Sequence, residues 1–184
     1  GFAGSYSATG LSLGASVVAG EGSRMQRDHQ YRTTRHRADM LPPARIGRTA
    51  AERAVARLDP ARMASKSMPV VFDPRVGNSL LGHLVQAMSG AAIARRVSFL
   101  LGKLEDELFP AGLRVIEEPH RRRGLNSRPF DGEELPTTPR ALIEHGRIAT
   151  WLTNAAAARQ LGMPLTGHAA RGASGVPGVS PSNL

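Results

Sequence analysis

The chain contains no cysteine, which excludes disulfide bonds and thiolate metal sites within its 184 residues. This absence fits a reducing compartment, although it fits other compartments too. No apolar run approaches the roughly 20 residues that cross a membrane. The short apolar part of residues 11–20 also lacks the basic segment with which a signal peptide begins. We therefore expect a cytoplasmic protein with no membrane association.

Aromatic residues make up only 4% of the chain, whereas arginine and lysine raise its net charge to +9. Such a charge requires that a polyanionic partner be considered. However, few aromatic rings are available to stack on single-stranded bases, and the arginines are scattered except for the run Arg121–Arg123. A solvated basic surface is therefore favoured over a nucleic-acid site.

The sequence also lacks the signatures of common catalytic classes. It has no G-x-S-x-G nucleophile elbow and no phosphate-binding glycine loop. Its carboxylate pairs are adjacent in sequence, which is typical of solvated faces rather than of acid–base dyads. Composition and short motifs alone therefore indicate a globular protein in which no group of catalytic residues can be recognised.

Apolar residues recur with the period of a strand in one segment and with the period of a helix in another. Apolar and polar residues alternate over Leu11–Ala19, which predicts a half-buried strand, and a more polar strand through Thr34 completes a hairpin. Residues 43–58 carry a helical apolar stripe, with Pro43 in the first turn, where its missing N–H is tolerated.

The rest of the chain continues in blocks. The predicted elements, in order, are a short buried strand (Pro69–Pro74), a helix (Gly77–Ala94), a strand (Leu113–Glu118), a long polar loop (119–139), a hairpin turning at His145–Gly146, and a short helix ended by Gly162. The Gly/Ser/Pro-rich tail that follows is typical of disorder by composition. Separate blocks favour an α+β fold, with antiparallel hairpins and packed helices, over a wound βαβ sheet.

The helix Gly77–Ala94 contains one histidine, which raises the question of a metal site. At about 100° per residue, His83 points roughly 130° away from the apolar stripe. A zinc helix needs a second ligand one turn further on, but Gln86 and Ala87 stand there. The favoured interpretation is a core helix packed on one side. The default for His168, in the segment TGHAARG, is a solvated loop histidine, with a place in a cleft as the alternative.

Five blocks in fixed order resemble the TldD/PmbA family, specifically its PmbA (TldE) branch. They are GFAGSYSATGLSLGASVVAGEG, VVFDPRVGNSLLGHLVQAMSGAAIARRVSFL, HRRRGLNSRPFDGEELPT, ALIEHGRIATWLTNAAAARQLGM and PLTGHAARG. The resemblance spans nearly the whole chain and implies a fragment of a larger, two-lobed protein. Residues 1–60 would end its N-terminal or central part, and residues 68–184 would form a truncated part of its C-terminal domain.

The resemblance also implies a peptidase system. TldD-type chains carry a zinc helix of the form HExxxH and act as heterodimers with a PmbA-type partner around a chamber that admits peptides. The matching positions here are Gly82, His83 and Ala87. The implied role is therefore a metal-free subunit that shapes the chamber and binds peptide, with no cofactor of its own, while zinc belongs to the TldD-type partner. The family's remaining ligand would lie beyond Leu184.

Five side chains are the predicted contacts to peptide or partner, and they are Arg128, Phe130, Asp131, His168 and Arg171. Arg128 and Asp131 would engage chain termini or backbone, and Phe130 would be an apolar anchor. The alternative for this loop is structural, with Arg128 and Asp131 as an internal pair.

Two other functions stay open. One is a nucleic-acid-associated regulator, since the family has also carried the label of DNA gyrase modulator. The other is a self-sufficient metallopeptidase.

Overall fold

The computed structural model describes residues 2–184 and confirms the α+β class. Two compact units form, one from Ser7–Val70 and the other from Val71–Leu184 together with the residues up to Tyr6. Within the described residues, no helix combines the length and apolar character needed to cross a membrane. The elements are β1 (Leu11–Ala19), β2 (Gln26–Thr34), α1 (Pro43–Ala56), α2 (Pro74–Ala87), α3 (Gly90–Ala94), β3 (Val115–Glu117), β4 (Arg140–Glu144), β5 (Arg147–Ile148), α4 (Ala155–Leu161), β6 (Ala169–Ala170) and β7 (Gly178–Val179).

The smaller unit is the predicted hairpin covered by the predicted helix. Strands β1 and β2 pair antiparallel, from Leu11 opposite Thr34 to Ala19 opposite Gln26. From Leu13 onward, every second residue of β1 is partly buried, because α1 packs against the ribbon and the opposite face stays in water. Helix α1 buries one residue per turn against the strands, namely Ile46, Ala50 and Ala54.

The larger unit is built around a three-stranded antiparallel sheet in the order β3-β4-β5. The predicted hairpin turn is confirmed, since His145 and Gly146 have φ of 48° and 77°, the left-handed values of a type I′ turn. Its core includes Met88, Leu142, Ile148, Trp151 and Leu152. Helix α4 also ends as predicted, at Gly162 with φ of 63°.

The prediction of one helix over Gly77–Ala94 is wrong at both its start and its middle. Asp73 begins α2 earlier, because its Oδ1 accepts a hydrogen bond from the Arg75 amide at 2.8 Å. The helix then stops near Met88. Leu152 donates its amide to the Met88 carbonyl at 3.0 Å, and its own carbonyl accepts from the Gly90 amide at 2.8 Å. These bonds to a distant segment replace the helical ladder and separate α2 from α3.

Two other predictions are also wrong. Pro69–Pro74 forms no strand, and Val71 is 95% exposed, because prolines bracket this connecting segment and remove N–H donors from both ends. Helix α2 packs against the core on one side, as predicted, although only Ala87 is buried and Leu80 is half exposed. The composition-based prediction of a disordered tail fails as well, because β6 pairs with β7 and the last residues pack inside the unit.

Candidate functional site

A cleft of 640 Å³ lies in the larger unit, between helix α2, the loop of residues 118–127 (the cleft loop) and the last four residues. A volume of this size is within the range of small-ligand sites. The lining side chains are polar and apolar in comparable number, and they are Asn78, Leu81, Gly82, Val85, Gln86, Arg121, Arg123, Gly124, Leu125, Asn126, Pro181, Ser182, Asn183 and Leu184.

Helix α2 contributes a stripe of amides to the cleft. Asn78, Gly82 and Gln86 follow one another at intervals of four residues, so they share one helical face. Leu81 and Val85 lie beside them on the same wall. Because Gly82 has no side chain, the backbone of the helix is accessible between the two amide groups. The wall therefore offers hydrogen-bond donors and acceptors next to an apolar surface.

The opposite wall is a loop fixed by one asparagine. Asn183 donates from Nδ2 to the Glu118 carbonyl at 2.9 Å and to Ser127 Oγ at 2.8 Å, and its Oδ1 accepts from the Asn126 amide at 3.0 Å. Gly124 fits against the same side chain, since an added Cβ would lie 2.6 Å from Asn183 Oδ1. The last residues of the chain thus hold the cleft loop in one conformation.

Two arginines of the cleft loop reach the cleft, and their surroundings differ. Arg121 is engaged in an ion pair, with its Nη2 2.7 Å from Glu118 Oε2. Arg123 has φ of 61°, a left-handed backbone conformation that residues other than glycine rarely adopt. Among the described residues that line the cleft, none has an acidic side chain. The charged side chains among these described lining residues are therefore all basic.

A buried polar cluster joins this wall to the sheet. His168 Nε2 lies 2.6 Å from Glu117 Oε2, and its Nδ1 lies 2.8 Å from Thr166 Oγ1. Glu117 Oε1 also accepts a hydrogen bond from the Ser182 amide. Thr153 donates its amide to Thr166 Oγ1 at 2.8 Å. The cluster ties β3, the segment before β6 and the end of the chain to one another.

The carboxyl group of Glu117 stays ionised to lower pH than usual. Burial raises the pKa of Glu117, because desolvation penalises the charged form. The hydrogen bond and electrostatic attraction of His168 and the hydrogen bond from the Ser182 amide all lower the pKa, and together they outweigh desolvation. The net result is a pKa of Glu117 below its ordinary value of 4.5.

The interior position of His168 contradicts the prediction of a solvated loop histidine, because the side chain is only 1% exposed. Asp131 is also buried, and its carboxylate accepts backbone amides from Glu133 at 2.8 Å, Leu135 at 3.0 Å and Ala169 at 3.0 Å. Both side chains are therefore bonded within the protein. Their contact with a peptide stays a prediction, and in this arrangement they act on it only through the segments that they position.

The other three predicted contact residues lie closer to solvent. Arg128 donates from Nη2 to the Ser180 carbonyl rather than pairing with Asp131. Phe130 makes edge-to-face contacts with Phe2 at 5.2 Å and Tyr6 at 5.5 Å between ring centroids. Arg171 is exposed. None of the five predicted residues lines the cleft in the part of the chain that the structure describes.

The family's metal positions do not form a ligand set. Gly82 faces the cleft, and Ala87 is buried in the core. His83 is exposed, as its predicted direction away from the apolar stripe implies, and it borders a surface groove with Leu80 and Leu84. Across residues 2–184, no three His, Asp or Glu side chains converge as metal ligands. The donor chemistry present therefore does not fit zinc.

Sequence reasoning did not identify the cleft, although one signal for its helical wall is local. The spacing of Asn78, Gly82 and Gln86 places two amides and a gap on one face of a helix. The opposite wall has no such signal, since Asn183 meets the cleft loop from more than fifty positions away along the chain.

Comparison with known proteins gives matches to two family models. The PmbA/TldA metallopeptidase central domain matches residues 1–58, and the PmbA/TldA metallopeptidase C-terminal domain matches residues 65–184. A metalloprotease PmbA of Escherichia coli O157:H7 is 38% identical over 164 residues, which cover 89% of this chain and 36% of that protein.

Two solved structures have the same fold. One, from Bacteroides thetaiotaomicron and described as a candidate modulator of DNA gyrase, superposes with a TM-score of 0.84 at 29% identity, over 90% of this chain and 38% of its own. TldE from Thermococcus kodakarensis superposes with a TM-score of 0.69 at 20% identity, over 94% of this chain and 39% of its own, which is evidence for the fold alone. The chain thus spans little more than a third of the length of these relatives.

Proposed function

The chain belongs to the PmbA/TldA metallopeptidase family, and from this premise we propose that it is part of a PmbA-type subunit that binds peptide in a cytoplasmic, two-subunit peptidase. A TldD-type partner supplies the zinc, which activates water for hydrolysis. This subunit contributes a wall of the peptide chamber and no metal ligand.

The observation that carries the proposal is that helix α2 lacks metal ligands but lines a cleft. The helix that stands in the family's zinc position offers Gly82, His83 and Ala87, a set without the two ligands of HExxxH. The same helix, however, lines a cleft with amides and apolar side chains. This combination suits a peptide better than it suits metal-assisted hydrolysis.

Each part of the cleft has a task in this proposal. The amides of Asn78 and Gln86 pair with N–H and C=O groups of an extended peptide, because each amide both donates and accepts. Leu81 and Val85 contact its apolar side chains. These contacts are made to the bound peptide before hydrolysis, so they affect peptide affinity more than the rate of the chemical step.

The proposal is tested by separating the two subunits. The full-length protein is purified alone and mixed with a TldD-type chain, and cleavage of a fluorescence-quenched unstructured peptide is measured together with the zinc content. We expect activity in the mixture only, and loss of it when the HExxxH glutamate of the partner is replaced by glutamine. Peptidase activity of the purified subunit alone, with stoichiometric zinc, would overturn the proposal.

Two observations favour a second candidate function, binding to nucleic acid. The net charge is +9, and a similar solved structure is described as a candidate modulator of DNA gyrase. A protein that neutralises several phosphates loses affinity steeply as salt rises. Titration of duplex DNA at two salt concentrations tests this candidate, and binding that does not depend on salt rejects it.

A further inference from the structure

We propose that residues 70–72 are a strand whose neighbouring strand belongs to the part of the full-length subunit outside these 184 residues. These three residues, called the unpaired segment from here on, lie between α1 and α2. The inference does not depend on the proposed function, because it concerns how the subunit is completed and not what it binds.

The composition of the unpaired segment is that of a buried strand. Val70, Val71 and Phe72 form a continuous apolar run of β-branched and aromatic residues, which is typical of strands that are buried on both faces. Pro69 precedes the run at the first position of a strand, where a missing N–H is tolerated. Asp73 follows it with φ of −58° and ψ of 138°, an extended backbone. The sequence therefore suits a short strand, although the described part of the chain contains no strand that pairs with it.

The backbone of the unpaired segment is free to pair. Within residues 2–184, none of its N–H or C=O groups forms a hydrogen bond to another residue. An extended segment with such groups is a template to which another strand can add. A strand supplies donors and acceptors in the order that this backbone requires, which neither a small ligand nor a nucleic acid does.

The side chains of the unpaired segment begin a longer run of exposed apolar residues. They are 67%, 95% and 50% exposed, in chain order. Val76 and Leu80 follow Phe72 at intervals of four residues, and both are about half exposed. Exposed apolar side chains in such number mark an interaction site rather than a solvated surface.

A groove on helix α2 extends this apolar surface. It has a volume of 380 Å³, and every residue that lines it except His83 is apolar. Leu80 is one of the lining residues, and Phe99, another of them, is 78% exposed. The occupant must therefore bring apolar side chains as well as the backbone of a strand.

The rest of the subunit is the occupant that these features favour. The chain covers 36% of the Escherichia coli relative and 38% of the Bacteroides thetaiotaomicron structure, so most of a full-length relative lies outside the matched region. An apolar strand that is left unpaired promotes edge-to-edge aggregation, and a peptide substrate would uncover it at each dissociation. A strand of the same polypeptide is present in every molecule and covers the segment permanently.

The first test measures amide hydrogen exchange in the full-length protein by mass spectrometry, on the peptide that spans residues 68–74. A strand on one side accepts hydrogen bonds from every second residue. At least one amide of the unpaired segment should therefore exchange about 100-fold or more slowly than in an unstructured peptide of the same sequence. Exchange of all three amides at the unstructured rate would overturn the inference.

The second test identifies the occupant. Phe72 is replaced by p-benzoylphenylalanine in the full-length protein, and the crosslinks that form on illumination are mapped by mass spectrometry. We expect crosslinks within one molecule, to residues outside these 184. Crosslinks between two copies would overturn the inference, and so would protection from exchange that arises only when a TldD-type chain or an unstructured peptide is added.

A matched pair of variants tests whether the segment is covered. Val71 and Val176 belong to the same compact unit and are 95% and 89% exposed within residues 2–184. Val71→Asp places a charge beneath the proposed strand, so it should lower the melting temperature of the full-length protein by about 5 °C or more. Val176→Asp should change it by less than about 1 °C. Loss of folding in Val71→Asp alone gives the same answer, whereas equal effects of the two changes contradict the proposal.

Discussion

Replacing Glu117 by alanine removes the carboxylate on which three segments converge. The side chain is 3% exposed, and it accepts hydrogen bonds from His168 and from the Ser182 amide. After the change, both groups lose their partner in an interior without access to water. Breaking a buried ionic pair from one side costs about 3–5 kcal/mol. We therefore expect Glu117→Ala to lower the free energy of unfolding by about that amount.

A glutamine at position 117 should cost less than alanine. Its amide can donate to His168, and its oxygen can still accept from Ser182, so the hydrogen bonds survive without the charge, at a cost of about 1.5–3 kcal/mol. The control is Glu118→Gln, because the ion pair of Glu118 with Arg121 is about half exposed and contributes about 0–1 kcal/mol. Equilibrium urea denaturation measures all three variants through Trp151, the one tryptophan, which is 3% exposed.

The Glu117–His168 pair also predicts how the free energy of unfolding changes at acidic pH. The pKa of Glu117 is lower in the folded protein than its ordinary value of 4.5. The folded state therefore binds this proton less readily than the unfolded chain does, and the carboxylate stabilises the fold fully above the unfolded pKa. This contribution is lost as pH falls from about 4.5 through the lower folded pKa. The parent should lose more stability in that window than Glu117→Gln. Parallel losses in the two proteins would refute the reasoning, as would a Glu117→Ala variant no less stable than the control Glu118→Gln.

Two glycine positions give further predictions. Gly82→Ala should stabilise the protein by about 0.5–1 kcal/mol, because alanine is the better helix former and no described atom lies within 4 Å of the added methyl group; a decrease in stability would contradict this. Gly146→Ala should destabilise it by about 1–3 kcal/mol, because the methyl group would lie 2.2 Å from the Phe109 carbonyl oxygen and φ is 77°; a neutral effect in the same urea assay would show that the turn relaxes.

The sequence predicted correctly the secondary-structure elements that are determined by a few neighbouring residues. The alternation over Leu11–Ala19, the stripe of α1 and the left-handed turn at His145–Gly146 each follow from a few neighbouring residues. Helix α4 is another example, since its end depends on Gly162 alone.

Elements that depend on distant backbone were mispredicted. No residue near Met88 indicates that the backbone of Leu152 will form hydrogen bonds with Met88 and Gly90 and so end the helix. Val71 is apolar but exposed. A strand forms only where it can pair with a neighbouring strand, and composition does not reveal whether one is present.

The polar interior was the hardest part to predict. Glu117 and His168 are 51 positions apart, and each would be solvated by default. The segment TGHAARG, with small residues around a histidine, fits close packing as well as it fits a loop. For the same reason, Asp131 was a plausible contact residue in sequence and is a buried organiser of backbone amides in the structure.

The way in which Ser182 and Asn183 hold the cleft wall has a consequence for the order of folding. Their hydrogen bonds to Glu117 and Glu118 close chain segments of 65 positions. The entropy of closing such a segment is lost before any contact is gained, whereas β4 and β5 are joined by a turn of two residues. The sheet should therefore form early and the cleft late, so an incompletely folded molecule would have its hydrophobic core before it has a binding site.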